Sequence, residues 1–229
     1  FGDLGWNMTT VKTGDSLNLG DKTIQFIEAP MLHWPDSMFS FIPEDKLLLP
    51  NDAFGQHLAS SKRFDDEVDN AILMDEAAKY YANILLPFNA LVARKIKEIV
   101  DMGIEFDNIA PRHGVIWRGN PHQIIEAYQS WSSGVETPGR ISPDVVIVFD
   151  TMWKSTELMA EAICDELGKL GHSVNLYNIA GTDYSDIIRE VMEAKAFLVG
   201  SPTMNNSILP SLSPIMDALK GLKPIGKIG

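Results

Sequence analysis

The chain is 229 residues long, 45% hydrophobic and 22% charged, with 17 Gly and 13 Pro, a composition that builds one or two globular domains and excludes a fibre or low-complexity coil. Against 31 Asp and Glu stand 19 Lys and Arg, for a net charge of −12; this repels nucleic acid, and the densest basic cluster, Arg94, Lys95 and Lys97, shares its helix with Glu98 and Asp101. No apolar run is long enough for a membrane helix, and the single cysteine, Cys164, excludes an internal disulfide framework and fits a reducing cytoplasm.

The first segment alternates apolar and polar residues over 9–12, 16–19 and 23–27, with turns at Gly14-Asp15 and Gly20-Asp21, which predicts short antiparallel strands. Residues 38–41 and 46–49 flank Pro43-Glu44-Asp45 as a hairpin on a type I turn, Pro supplying the fixed φ. Over 75–101 the apolar residues Ile84, Leu85, Phe88, Leu91, Val92, Ile96, Ile99 and Val100 recur at helical spacing, Gly103 stops the helix, and Pro87 divides it. A strand at 108–110, a loop Pro111-Arg112-His113-Gly114 and a helix over 121–131 complete this half.

Residues 132–140 are polar, unpatterned and bear Gly and Pro, as at a crossing between domains. The expected division is 1–138 and 139–229. Beyond it the pattern changes to buried strands at 145–149, 173–177 and 196–199, alternating with helices at 155–170, 186–194 and 208–219. That alternation predicts a parallel, doubly wound α/β sheet of flavodoxin-like type, with a fourth strand starting near Ile225.

Two loops of this second half carry chemistry. Asp150-Thr151-Met152-Trp153-Lys154-Ser155-Thr156 joins a buried strand to a helix and presents hydroxyls and main-chain N–H groups where an anion is favoured. Neither Gly-x-x-x-x-Gly-Lys nor Gly-x-Gly-x-x-Gly occurs, which points to a monophosphate and away from a triphosphate or dinucleotide. Gly200-Ser201-Pro202-Thr203-Met204-Asn205-Asn206-Ser207 follows the third strand. In a flavodoxin-like sheet the two loops lie side by side and together describe a flavin mononucleotide (FMN) pocket, with Trp153 a candidate for packing near the ring or, equally, an aromatic that covers the loop. Simple helix capping by Ser155 and Thr156 is the structural alternative.

In the first half, His33, Asp52 and His113 each sit in a tight Pro- or Gly-bearing loop after an apolar piece, as a rigid scaffold displays metal ligands. Two imidazoles and a carboxylate suit iron, zinc or manganese. An Asx turn for Asp52 and partly buried structural histidines are the ordinary alternatives. His57, His122 and His172 read as surface or capping residues.

Taken in order, Glu28-Ala29-Pro30-Met31-Leu32-His33-Trp34-Pro35-Asp36-Ser37, Asn51-Asp52-Ala53-Phe54-Gly55, Tyr80-Tyr81-Ala82-Asn83-Ile84, His113-Gly114-Val115-Ile116-Trp117-Arg118, the 150–156 loop and Ser201-Pro202-Thr203 resemble the flavodiiron proteins. That family joins a metallo-β-lactamase-like αββα domain holding two non-haem irons to a flavodoxin-like FMN domain. The resemblance implies that His33 and His113 are terminal ligands of different irons and that Asp52 bridges both. It implies FMN contacts from Thr151, Met152, Trp153, Ser155, Thr156, Ser201, Pro202, Thr203 and Asn205, and a substrate pocket lined by Tyr81 or its neighbour Tyr80. It further implies reduction of O2 to water, NO to N2O, or both, with electrons from rubredoxin or another reduced carrier, in a head-to-tail homodimer.

The family's His-x-Glu-x-Asp-His motif is absent, and at family spacing it would precede Phe1. The flavodoxin-like part also stops before a fifth strand. The chain therefore reads as an internal piece of a longer polypeptide, whose isolated activity is open. Two other readings stay open: a zinc hydrolase of the metallo-β-lactamase type, and a flavin electron carrier without metal.

Overall fold

The computed structural model describes residues 5–134 and 141–229. The expected division at 138/139 lies outside them. The first half is built on a five-stranded sheet, β1 (Ser16–Asn18), β2 (Thr23–Glu28), β3 (Met38–Ile42), β4 (Leu47–Leu49) and β5 (Asn108–Ile109), in that spatial order, with only β4 and β5 parallel. The β3–β4 hairpin forms as predicted, around a 3₁₀ turn at Pro43–Asp45 that Lys46 closes in the left-handed region. The strand expected at 9–12 does not form; instead Gly14 N donates to Phe26 O and Thr13 N to the Glu28 carboxylate, a looser edge.

The long helical stretch is α1 (Asn70–Tyr80), a π turn (Tyr81–Leu85), a 3₁₀ turn containing Pro87 (Leu86–Phe88) and α2 (Asn89–Asp101). Pro87 has no N–H to donate, so the chain breaks there as expected. The helix begins five residues earlier than the apolar spacing indicates, because the Asp69 carboxylate accepts from Ala71 N and Ile72 N and caps it. With α3 (Pro121–Ser132) these helices bury Leu73, Ala77, Tyr81, Leu85, Val92, Ile96, Ile124, Tyr128 and Trp131 against the sheet residues Ile27, Phe39, Leu48 and Ile109.

The second half is a parallel sheet of β6 (Val145–Phe149), β7 (Val174–Asn178) and β8 (Ala196–Gly200) in the order β7-β6-β8, with α4 (Ser155–Lys169), α5 (Tyr184–Glu193) and α6 (Ser213–Leu222) around it. All five side chains of β6 are buried: Val146 and Val148 join the core shared with α5, and Val145, Ile147 and Phe149 pack with α4. A strand covered on both faces has no polar side, which is why its sequence shows no alternation. The predicted fourth strand is present only as its start, Ile228 bridging Ala196 in parallel on the free side of β8. Among the described residues no helix is long and apolar enough to cross a membrane.

Candidate metal and flavin sites

Three loops at one edge of the first sheet bring His33, Asp52 and His113 together. Asp52 follows β4 in a turn where Asn51 and Phe54 both take positive φ. Arg112 N donates to Asn51 O, Gln56 N to His113 O, and Trp117 Nε1 to Phe54 O, so the Asp52 and His113 loops are strapped to each other. The His113 loop is a tight excursion between Ile109 and Trp117, which exchange main-chain hydrogen bonds at 2.9 Å. The Gln56 side chain accepts from Val115 N at 2.8 Å and donates to Val115 O at 3.1 Å. Gly114, at φ +84°, passes so close beneath it that an added Cβ would lie 1.5 Å from Gln56 Oε1. His33 is fixed in a turn where Trp34 O accepts from Met31 N and Ser37 N.

Asp52 is 4% exposed. Its Oδ2 lies 3.5 Å from His33 Nε2, and its Oδ1 lies 3.2 Å from His113 Nε2. Oδ1 is buried and makes no hydrogen bond. A buried carboxylate oxygen without a donor is costly unless a cation takes its place. Two ligand atoms each about 2.1 Å from one cation lie roughly 3.0–3.4 Å apart; the His113 pair at 3.2 Å falls in that range and the His33 pair at 3.5 Å lies just beyond it. The residues thus fit two cations sharing one carboxylate. Among the described residues no group of three or more His, Cys, Asp or Glu side chains is set around a single ion, so the three side chains meet as two pairs and do not share one point.

Tyr81 lies away from this edge. Its ring packs against Tyr128 and Trp131, its hydroxyl donates to Asn89 Oδ1 at 2.7 Å, and burial pushes its pKa up. Tyr80 is the tyrosine beside the candidate ligands: its ring is 6.2 Å from His113, and its buried hydroxyl has no partner. Burial, and then the charge of Asp52, push its pKa up. His57, expected at the surface, is exposed but stands 4.8 Å from the Tyr80 ring and 5.6 Å from that of His113. Residues far apart in sequence meet here, so spacing gave no signal for His57.

In the second half, the 150–154 and 201–209 loops leave the carboxyl ends of the adjacent strands β6 and β8. Lys154 takes a left-handed conformation before α4, and no side chain caps that helix, so Ser155 and Thr156 open it with unclaimed first-turn N–H groups. Thr151 Oγ1 is buried without a hydrogen-bond partner at the same end. An anion acceptor completing these donors fits both observations. Asp150 ties the loops by accepting from Thr151 N and Ser211 Oγ, while Ser201 Oγ accepts from Leu209 N and donates to Pro202 O. Asn205 and Asn206, both at positive φ, form a tight turn between the mutually hydrogen-bonded Met204 and Ser207. Met152, Thr203 and Asn205 are exposed, and Trp153, at 85% exposure, stands free of the sheet.

Residues 6–114 match the ODP family of beta lactamases, and residues 147–222 match the flavodoxin family. The whole chain is 53% identical to a nitric oxide reductase of Moorella thermoacetica, covering 56% of that protein. It is 42% identical over 221 residues to an anaerobic nitric oxide reductase flavorubredoxin of Vibrio vulnificus, covering 44% of it. Among solved structures, rubredoxin oxygen:oxidoreductase from Desulfovibrio gigas superposes over 98% of this chain and 55% of its own, with TM-score 0.91 and 38% identity. The flavodiiron protein from Giardia intestinalis does so over 95% of this chain and 52% of its own, with TM-score 0.85 and 36% identity. The chain spans about half the length of the curated relatives it matches.

Proposed function

The chain belongs to the flavodiiron protein family, and on that premise we propose that it supplies part of a diiron centre and an FMN site to an oxidoreductase that reduces NO to N2O. The name of the relative 53% identical over the whole chain favours that substrate. Reduction of O2 to water is the second reading, favoured by the structure of highest fold similarity quoted above, a rubredoxin oxygen:oxidoreductase.

In this reading His33 and His113 would each help to hold one iron, and the Asp52 carboxylate would be shared by both. That carboxylate arrangement is the observation on which the proposal rests. When bound, the iron pair would supply the redox-active site for a diatomic substrate, and FMN would supply the electrons. The chain's own groups set the geometry. The Asp52 and His113 loops are strapped to each other, Gln56 holds the Val115 peptide, and Tyr80 presents a protonated hydroxyl at the edge of the centre. Thr151, Ser155 and Thr156 hold the flavin phosphate, while Met152, Trp153, Ser201, Pro202, Thr203 and Asn205 border the ring. Tyr80 takes the pocket position in place of Tyr81.

We place residues 1–138 in the metal domain and 139–229 in the flavin domain, and take the intact protein as a head-to-tail homodimer of the cytoplasm that receives electrons from rubredoxin or a similar carrier. Metal and flavin analysis of the full-length protein, with NO and O2 consumption measured on the same sample, tests this. Two irons and one FMN per chain with NO consumption are expected; stoichiometric zinc and no flavin would replace the reading by the hydrolase, and flavin without iron by the electron carrier.

A further inference from the structure

The two halves meet along a row of polar contacts that neither candidate site uses. Asp75, Lys79 and Asn83 are spaced four residues apart along α1 and its π turn, so they lie along one face. Opposite them, in reverse order, stand Arg189, Asp186 and Ser185 of α5. Arg189 Nε is 2.9 Å from Asp75 Oδ1, Lys79 pairs with Asp186, and Asn83 Nδ2 donates to Ser185 O at 3.0 Å. The row has acid, base and amide on one side facing base, acid and carbonyl on the other. Sliding either helix by one turn would bring like charges together.

One end of the row is sunk into the protein. The Arg189 side chain is 3% exposed, and its Nη1 is 2.7 Å from the Glu193 carboxylate, which also accepts from Ser142 Oγ at 2.6 Å. Ser142 lies three residues before β6, so the same network anchors the chain where it enters that half. The other end borders a cavity of about 560 Å³ between the halves, walled by Lys79, Asn83 and Ser185 together with Tyr80 and His57. The contacts therefore run from the start of the second half to the wall beside the candidate metal centre. A buried charged pair adds little net stability over an apolar one, and fixing one register is its better-attested use.

We infer that the Asp75–Lys79–Asn83 row on α1 and the Arg189–Asp186–Ser185 row on α5 form a register lock that sets the angle between the metal half and the flavin half, with Asp186 and Arg189 as positioning residues for electron passage between the two centres. This rests on the function proposed above. In the head-to-tail homodimer proposed above, the flavin of one subunit would face the metal pair of its partner and the angle within each chain would set the gap between them, so a change at this lock alters the transfer step and spares the chemistry of either centre.

The test uses full-length, cofactor-loaded protein as wild type, as Asp186→Lys, and as the exchanged pair Lys79→Glu/Asp186→Lys. Lys79 and Asp186 keep side-chain exposures of 26% and 53%, so these forms fold without burying a lone charge. Calorimetry reads the lock without any activity: one unfolding transition in wild type, two in Asp186→Lys, and one again in the exchanged pair. Stopped-flow reads its consequence. Flavin-to-metal transfer should slow about tenfold in Asp186→Lys and recover in the exchanged pair, while flavin reduction by dithionite and oxidation of the chemically reduced metal centre stay within about twofold. A single transition with unchanged transfer in Asp186→Lys overturns the inference, as does an exchanged pair that stays as slow as the single variant. If wild type lacks iron or FMN the functional reading fails instead, and calorimetry alone then decides the lock.

Discussion

The metal edge and the flavin edge are both built from loops, but they are finished to different degrees. Around Asp52 and His113 the backbone is tied by Arg112, Gln56 and Trp117, and two buried polar atoms there, Asp52 Oδ1 and the Tyr80 hydroxyl, make no hydrogen bond. Around Thr151 the loop is held chiefly by Asp150 and Ser201, and Met152 and Trp153 lie in solvent. The first edge holds its loops fixed around a buried carboxylate; the second is a more exposed rim. A site of hard, closely spaced cations needs its ligands fixed beforehand, whereas a large planar cofactor supplies much of its own contact area.

The sharpest break of this contrast is Asp52→Asn in the full-length protein. Removing the shared charge should leave less than about one tenth of the wild-type iron by metal analysis, with FMN content unchanged; loss of both cofactors together would erase the distinction between the edges. Next is Gly114→Ala, which sets a methyl group against Gln56 at a positive φ. It should destabilise the fold by about 3 kcal/mol, read in denaturant titration.

Thr151→Val tests the open rim. The hydroxyl has no partner to lose without ligand, so the flavin-free protein should be unchanged or slightly more stable. FMN affinity, by fluorescence titration, should fall about tenfold, roughly 1.4 kcal/mol. Equal FMN affinity would remove Thr151 from the flavin site.

The smallest effect concerns acid. Hydrogen bonds from Lys195 and Ser173 lower the pKa of Asp144 from 3.8 to about 2. For Asp65 burial acts upward, but the N–H groups of Arg118, Gly119 and Asn120 outweigh it and hold the pKa below 3.8. Both folded values lie below the unfolded ones, so the stabilisation is complete above about pH 4 and disappears as pH falls through the folded values. Asp144→Asn should therefore flatten the decline of melting temperature between about pH 4 and pH 2.

Much of this was legible in the sequence where a local rule acts alone. The unbroken apolar β6, the Pro43 turn and the break at Pro87 each follow from one residue's chemistry or one period. Rules that depend on phase or on distant partners were not legible. Tyr80 and Tyr81 differ by about 100° around a helix, and the π turn beginning at Tyr81 shifts the phase there, so spacing could not choose between them. The Asp69 cap was a readable signal outside the apolar pattern. Neither His57 beside His113 nor Asp75 beside Arg189 had any local signal, since only the tertiary fold brings those segments together.

The central claim is that one buried carboxylate serves two metal ions. Anomalous diffraction at the iron edge from crystals of the full-length, iron-loaded protein measures it directly. Two iron peaks should flank Asp52, one between Oδ2 and His33 and the other between Oδ1 and His113. A single peak, or metal bound with Asp52 outside its coordination, would contradict the account.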